Sequence, residues 1–242
     1  MKNFKILAIA LLTAVTVSSC IVIPKRISHH KTEVGSLNTV TGMKSFDGIS
    51  VAGAMDVVLI QGNEPSVQVK GDNKEIFDKL VIYVEDNTLN IESNDKVNFF
   101  GFMGSNNFNG ITVYVTMPTI KAIELAGSGD ITASEAIDAD DVDVEIAGSG
   151  NVEFKGSFSC NTLSVSVAGS GDVTFNKINA EKITTSIAGS GNVAYYNMDV
   201  TNVGSEIAGS GNITLKGKAA HHTENIIGSG NVDLSNLLTV ND

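Results

Sequence analysis

The chain has 242 residues, with 24 glycines, 3 prolines, no tryptophan and a formal charge of −11. Hydrophobic content of 42% excludes a disordered chain, and glycines without an every-third-residue period exclude collagen. Arg26 is the only arginine, so this acidic chain lacks the basic stripe that neutralises phosphates, and no nucleic-acid partner is expected.

Lys2 and Lys5 precede the apolar run Ile6 to Ala14, followed by Val17-Ser18-Ser19-Cys20. A charged start, a short apolar stretch and small residues before a cut site make a secretory signal rather than a membrane span. The ending resembles a bacterial lipobox, in which the cysteine thiol takes a diacylglycerol before cleavage. Residues 1–19 are therefore expected to be a lipoprotein signal peptide, with Cys20 as the lipid attachment site. Loss of Lys2 and Lys5 takes the charge from −11 to −13. Several acyl chains, palmitate-like, hold a protein on a membrane far better than one. The expected location is the cell envelope, on the outer membrane.

With Cys20 acylated, Cys160 stands alone and no intrachain disulfide can form. A secreted domain without disulfides must be held by its core. Cys160 is expected to be a small buried hydrophobe. A nucleophilic role would need a base, and the only histidines are His29, His30, His221 and His222. No metal or cofactor is expected.

Residues 20–43 carry Pro24 and the pair His29-His30 with little periodicity, which reads as a lipid-anchored tether. Residues 44–119 form a β-rich N-terminal part. Period-two apolar residues mark short strands at Ile49 and Val51, Asp56 to Gln61, Val67 to Val69, Leu80 to Val84 and Leu89 to Ile91. Asn73 to Lys79 suggests a two-turn helix. A Phe-rich segment follows, with Phe99, Phe100, Phe102 and Phe108. Exposed, these would be an adhesive loop; folded back, they would cover the sheet, and packing is the expectation. They remain candidate binding residues, together with the pair Tyr195-Tyr196.

Residues 120–242 carry the main signal. Ala126-Gly127-Ser128-Gly129-Asp130 recurs at Ala147, Ala168, Ala188, Ala208 and, as Ile-Gly-Ser-Gly-Asn, at Ile227. The first glycines are 21, 21, 20, 20 and 19 residues apart, a period that belongs to a stacked architecture. Aligned copies show apolar columns. Leu125, Ile146, Val167, Ile187, Ile207 and Ile226 precede the motif; Ile131, Val152, Val173, Val193, Ile213 and Val232 follow it. Ala133, Phe154, Phe175, Tyr195, Leu215 and Leu234 form a further column, separated by mostly polar residues. Such columns are strands with one face inside and one wet.

At roughly 3.3 Å per residue, twenty residues make one triangular circuit, and circuits stacked about 4.8 Å apart make a single-stranded β-helix. The crossover rule for parallel strands makes it right-handed. The chain is thus expected to be an all-β solenoid of about 20 residues per coil. Its structural turns are Gly127, Gly129, Gly148, Gly150, Gly169, Gly171, Gly189, Gly191, Gly209, Gly211, Gly228 and Gly230, where positive φ costs glycine nothing. The corner residues Asp130, Asn151, Asp172, Asn192, Asn212 and Asn231 never place two aspartates in adjacent repeat circuits. Only two of the six carry a carboxylate, which argues against a calcium roll. The corners lead into strands rather than helices, which argues against a phosphate cradle.

Phe46 to Val57, Ile60-Gln61-Gly62, Val67 to Gly71, Leu80, Val84 and Leu89, followed by the Gly-Ser-Gly repeats, resemble the head GIN domain family of auto-transporter adhesins. The resemblance covers residues 44 to 235 and implies a right-handed β-helix and an envelope lipoprotein. Gly53-Ala54-Met55-Asp56 resembles a decayed seventh corner. The expected function is a non-enzymatic adhesin or binding module presenting a rigid surface to a polysaccharide or protein. The alternatives are a polysaccharide-acting enzyme and a structural envelope subunit. Lyase chemistry is weakened by the absence of arginine after residue 26, and Asp138, Asp140, Asp141, Asp143 and the column Glu124, Glu145, Glu206 read as solvated faces. The solenoid's C-terminal end is expected to be closed by Leu237 to Val240 or by self-association into a homo-oligomer.

Overall fold

A computed structural model describes residues 38–40, 43–71, 80–93 and 111–239. The signal peptide, Cys20, the tether through residue 37, the Asn73–Lys79 stretch and the Phe-rich segment with its four candidate phenylalanines lie outside them. In chain order the strands are β1 (Asn38–Val40), β2 (Gly48–Gly53), β3 (Asp56–Gln61), β4 (Ser66–Gly71), β5 (Leu80–Glu85) and β6 (Thr88–Ser93). They continue with β7 (Ile111–Met117), β8 (Ala122–Gly127), β9 (Asp130–Ala133), β10 (Ile137–Asp138) and β11 (Asp141–Gly148). The last five are long: β12 (Asn151–Gly169), β13 (Asp172–Gly189), β14 (Asn192–Gly209), β15 (Asn212–Gly228) and β16 (Asn231–Thr239). The described residues contain no helix.

The long strands are bent around the circuit, each covering the second and third sides of one coil and, through β15, the first side of the next. Pairing of β12 with β13 runs in three stretches, Val152 to Phe154, Ser157 to Cys160 and Thr162 to Gly169, each parallel and each partnered about twenty residues on. The pattern repeats from β13 to β14 and from β14 to β15, and over the second and third sides into β16. The chain is therefore a β-solenoid, as its sequence period implies. The third side, weakly patterned in the sequence, pairs as regularly as the other two and is set off by a register shift after Phe154.

The decayed corner is a true one. β2 lies parallel to β8 with Gly53 opposite Gly127, and β3 lies parallel to β9. Between these two coils the chain makes an excursion. β6 joins the first side, parallel to β2, and β7 joins the second, parallel to β3. The segment from 94 to 110 thus connects two strands that elsewhere meet at a Gly-Ser-Gly corner. Beyond them β5 and β4 run antiparallel to β6 and β7, and β1 adds antiparallel to β4.

Side chains alternate as the pleat requires, and the inward ones fill the lumen. Phe154 stacks on Phe175 with centroids 4.4 Å apart, and Phe175 on Tyr195 at 5.3 Å. Phe158 meets Phe154 edge-on at 4.8 Å. Stacking identical positions turns one sequence column into a continuous aromatic file, each offset pair contributing about 0.5–1.5 kcal/mol beyond its buried area.

Candidate binding surface

Each corner is built from backbone. The first glycine takes positive φ, from 125° at Gly228 to 144° at Gly148, a region closed to most side chains. Its carbonyl accepts two N–H groups from the coil above: Ser170 N and Gly171 N bond to Gly148 O at 2.8 and 3.1 Å. The second glycine is needed for another reason. A Cβ on Gly150 would collide with the Gly129 carbonyl, and the same holds up the stack. The serines between them donate through the backbone and turn their side chains to solvent.

The Asp/Asn column is an interlocked ladder. Asn151 Nδ2 donates to Asp130 Oδ1 at 2.8 Å, Asn192 Nδ2 to Asp172 Oδ1 at 2.9 Å, and Asn212 Nδ2 to Asn192 Oδ1 at 2.8 Å. Asparagine is the residue that can both donate to the coil below and accept from the coil above. The seventh corner amends the sequence reading: Asp56 stands directly beside Asp130, so two aspartates do neighbour each other there. The Asp130 N–H bonds Asp56 Oδ1 at 3.2 Å, which ties that carboxylate to backbone. The column is structural and its polar atoms are engaged with one another.

A concave feature of the surface lies elsewhere, at the edge between the third side and the next first side. A groove of about 680 Å³ is lined by Asp138, Asp140, Asp199, Ser159, Asn161, Asn179 and Cys160, with Ala139 and Ala180. Its lining follows from stacking: Asp138, Ser159, Asn179 and Asp199 occupy one register column. The result is rich in acceptors. Cys160 is half-buried rather than fully inside, because the third side turns it toward this edge. Burial, with Asp141 nearby, pushes its thiol up to about 11, so at neutral pH it is no nucleophile. On the adjoining first side Glu145 stands beside Glu124 in the next coil. Partial burial, then Glu124 and Asp143, raise its carboxyl above the ordinary value.

The tyrosine pair does not form a platform. Alternation sends Tyr195 inward, 0% exposed, where its hydroxyl meets Thr185 Oγ1 at 2.7 Å. Burial pushes its phenol up and keeps it neutral. Only Tyr196 faces solvent, with Lys216 Nζ 5.1 Å from its ring centroid. Tyr195 stands in the same inward column as Phe175, so strand periodicity itself buries it and removes it from the binding surface. The groove was missed because its residues are scattered over 62 positions and become neighbours only through the coil period. Among the described residues no group of three His, Cys, Asp or Glu is placed to hold a metal ion.

Known structures share this architecture. A crystal structure from Parabacteroides distasonis, described as a "putative lipid binding protein", superposes with TM-score 0.66 at 23% identity, covering 82% of this chain and 95% of that one. A "putative adhesin" from Bacteroides fragilis does so with TM-score 0.66 at 20% identity, covering 82% and 96%. No curated protein matches the sequence. The sequence matches the family described as "Putative auto-transporter adhesin, head GIN domain" over residues 45–176 and 164–241. Those two spans cover the first coil, the excursion and the Gly-Ser-Gly coils, and the chain belongs to the head GIN domain family.

Proposed function

We propose that the chain is a lipid-anchored envelope protein and a non-enzymatic binding module. Cys20 carries the anchor, the tether ends by residue 37 because β1 pairs with β4 and Val40 and Met43 pack on the core, six residues short of the expected 43, and the solenoid offers its outer faces and edge groove to a polysaccharide or protein. The observation that carries this reading is the division of labour across the coil wall. The lumen is filled by apolar side chains, whereas the outer columns are short and polar, as in Ser164, Ser166, Thr184 and Ser186. Such a wall is rigid and flat, so little ordering entropy is lost when a partner lies along it. The acceptor-rich groove suits hydroxyl donors, and a chain of charge −11 disfavours anionic ligands.

Substitution of Cys20→Ala is expected to release the protein from membranes, and continued membrane residence would sink the anchor. A glycan array run beside a polysaccharide cleavage screen tests the module. Retention of a neutral glycan that Asp138→Ala and Asp199→Ala weaken supports it. Cleavage lost with those same substitutions would replace the module with an enzyme.

A further inference from the structure

Building on the binding-module reading, on which it rests, we propose that the edge groove seats a linear neutral glycan laid along the solenoid axis, one sugar unit per coil step. Stacking gives the groove a floor and two rims. Ala139, Cys160 and Ala180 form the floor, partly buried and packed against the core. Along one side runs the row Asp138, Ser159, Asn179, Asp199, joined coil to coil in register. Asp140 and Asn161, next in the chain after the floor residues, flank the other side. The row is bounded. Gln61 clasps the backbone N–H and C=O of Asp138 at its start, and Lys218 follows Asp199 in register at its end.

Spacing and chemistry together select the occupant. Coils advance ~4.8 Å, close to one pyranose unit of an extended β-linked chain, whereas an extended peptide advances ~3.3 Å per residue and falls out of step. A peptide added as a strand also needs a free backbone edge, and the strands under this groove are already paired coil to coil. The rim offers carboxylate, hydroxyl and amide oxygens, all of which accept from sugar hydroxyls. Its carboxylates and the chain charge of −11 repel acidic sugars. The corner column differs: there Asn192 Nδ2 is held by Asp172 Oδ1, and neighbours satisfy one another. Among the described residues the row from Asp138 to Asp199 forms no such ladder, so its oxygens face the groove free to bind. Three steps of ~4.8 Å, ~14 Å in all, seat three units.

Titration calorimetry of the full chain in a polyoxyethylene detergent, against oligomers of the cellulose, mannan and chitin type from one to six units, tests this. In at least one series affinity should rise at least ~5-fold per unit up to three units, and less than ~2-fold per unit beyond. Asp138→Ala and Asp199→Ala, at the two ends of the row, should each weaken a three-unit chain at least ~5-fold, while Ser170→Ala, at a Gly-Ser-Gly corner, should not. Cys160 reads the floor without any substitution: a saturating three-unit chain should slow its alkylation by iodoacetamide at least ~3-fold at pH ~9. A loss at only one aspartate would place the ligand across a coil and overturn the axial seating. Binding that ignores both aspartates and leaves Cys160 alkylation unchanged would overturn the groove yet leave the binding-module reading standing. Cleavage of the oligomers would overturn both, and no binding in any series would overturn the proposal.

Discussion

The two ends of the solenoid solve one problem differently. At the N-terminal end the chain reverses: β4 and β5 run against β7 and β6, and β1 runs against β4. Gln61 bonds the edge of β10 where no described strand does, its amide accepting from Asp138 N at 2.8 Å and donating to Asp138 O at 2.7 Å. In the last described coil, β16 keeps the parallel register of the coils before it. There the inward column runs Val165, Thr185, Ser205, Glu224, and its neighbour runs Leu163, Ile183, Val203, His222. A repeat can therefore be ended by geometry, at the cost of sixty residues of excursion, or by composition, grading the core from apolar to polar. Composition keeps that coil wettable, and among the described residues no strand pairs with its outer edge.

The largest test of this contrast is a glycine at the middle of the stack. Gly169→Ala forces an L side chain to φ of 131° and drives Cβ into the Gly148 carbonyl. Strain and backbone collision together should cost more than ~3 kcal/mol, read as a large fall in the denaturant midpoint. Gly53→Ala has similar φ, 136°, but its Cβ meets only the mobile tip of Met55, Cε at 3.1 Å. It should cost only the strain, about 1–3 kcal/mol. Equal losses at the two corners would mean that conformation, not stacking, sets the cost.

A second comparison follows one inward column. Phe175→Ala removes the ring sandwiched between Phe154 and Tyr195 and should cost about 3–5 kcal/mol. Leu234→Ala, in the same column on the last coil, starts from a partly buried side chain and should cost about 1 kcal/mol. Hydrogen exchange should show the last coil opening independently of the rest. Protection as strong there as at Phe175 would contradict a fraying end.

Next in size is the polar step between the apolar and polar halves. Tyr195→Phe alone leaves Thr185 Oγ1 buried without its 2.7 Å partner, a loss of about 1–3 kcal/mol. Adding Thr185→Val should recover most of it, because both buried polar groups are then gone. A double variant as unstable as the single one would show that packing, not pairing, sets the loss.

Period, corners and inward columns were legible in the sequence because stacking copies one residue's environment onto the next. Direction was not: alternation looks the same in parallel β6 and antiparallel β5, so the reversal that closes the N-terminal end left no mark. The first corner was legible only as a decayed copy, since Ala54-Met55 replaces Ser-Gly while Gly53 retains the positive φ. The groove was hidden for the reason that made the fold visible. Residues one coil apart touch, so Asp138 and Asp199 belong to one wall although three coils of sequence separate them.

The smallest expected effect lies on the outer wall, where acidic neighbours mark the early coils and not the late ones. Glu145 stands over Glu124 and shares its face with Asp143, whereas Glu206 stands between Ser186 and Asn225. Burial first, and those two carboxylates next, raise the Glu145 carboxyl, so the folded chain holds its proton more tightly than the unfolded chain. That preference stabilises the fold below the ordinary carboxylate value and is lost as pH rises through the raised one. At pH 7 Glu145→Gln should therefore be more stable than the parent, by well under ~1 kcal/mol because solvent screens so exposed a group. The gain should fade toward about pH 4, near the ordinary carboxylate value, where the carboxyl is largely neutral in both states. It should shrink in high salt as well. Glu206→Gln, without a carboxylate beside it in the column, should bring no such gain. Paired melting curves at pH 4 and pH 7 decide, and a pH-independent gain at Glu145 would assign the effect to side-chain packing instead of charge.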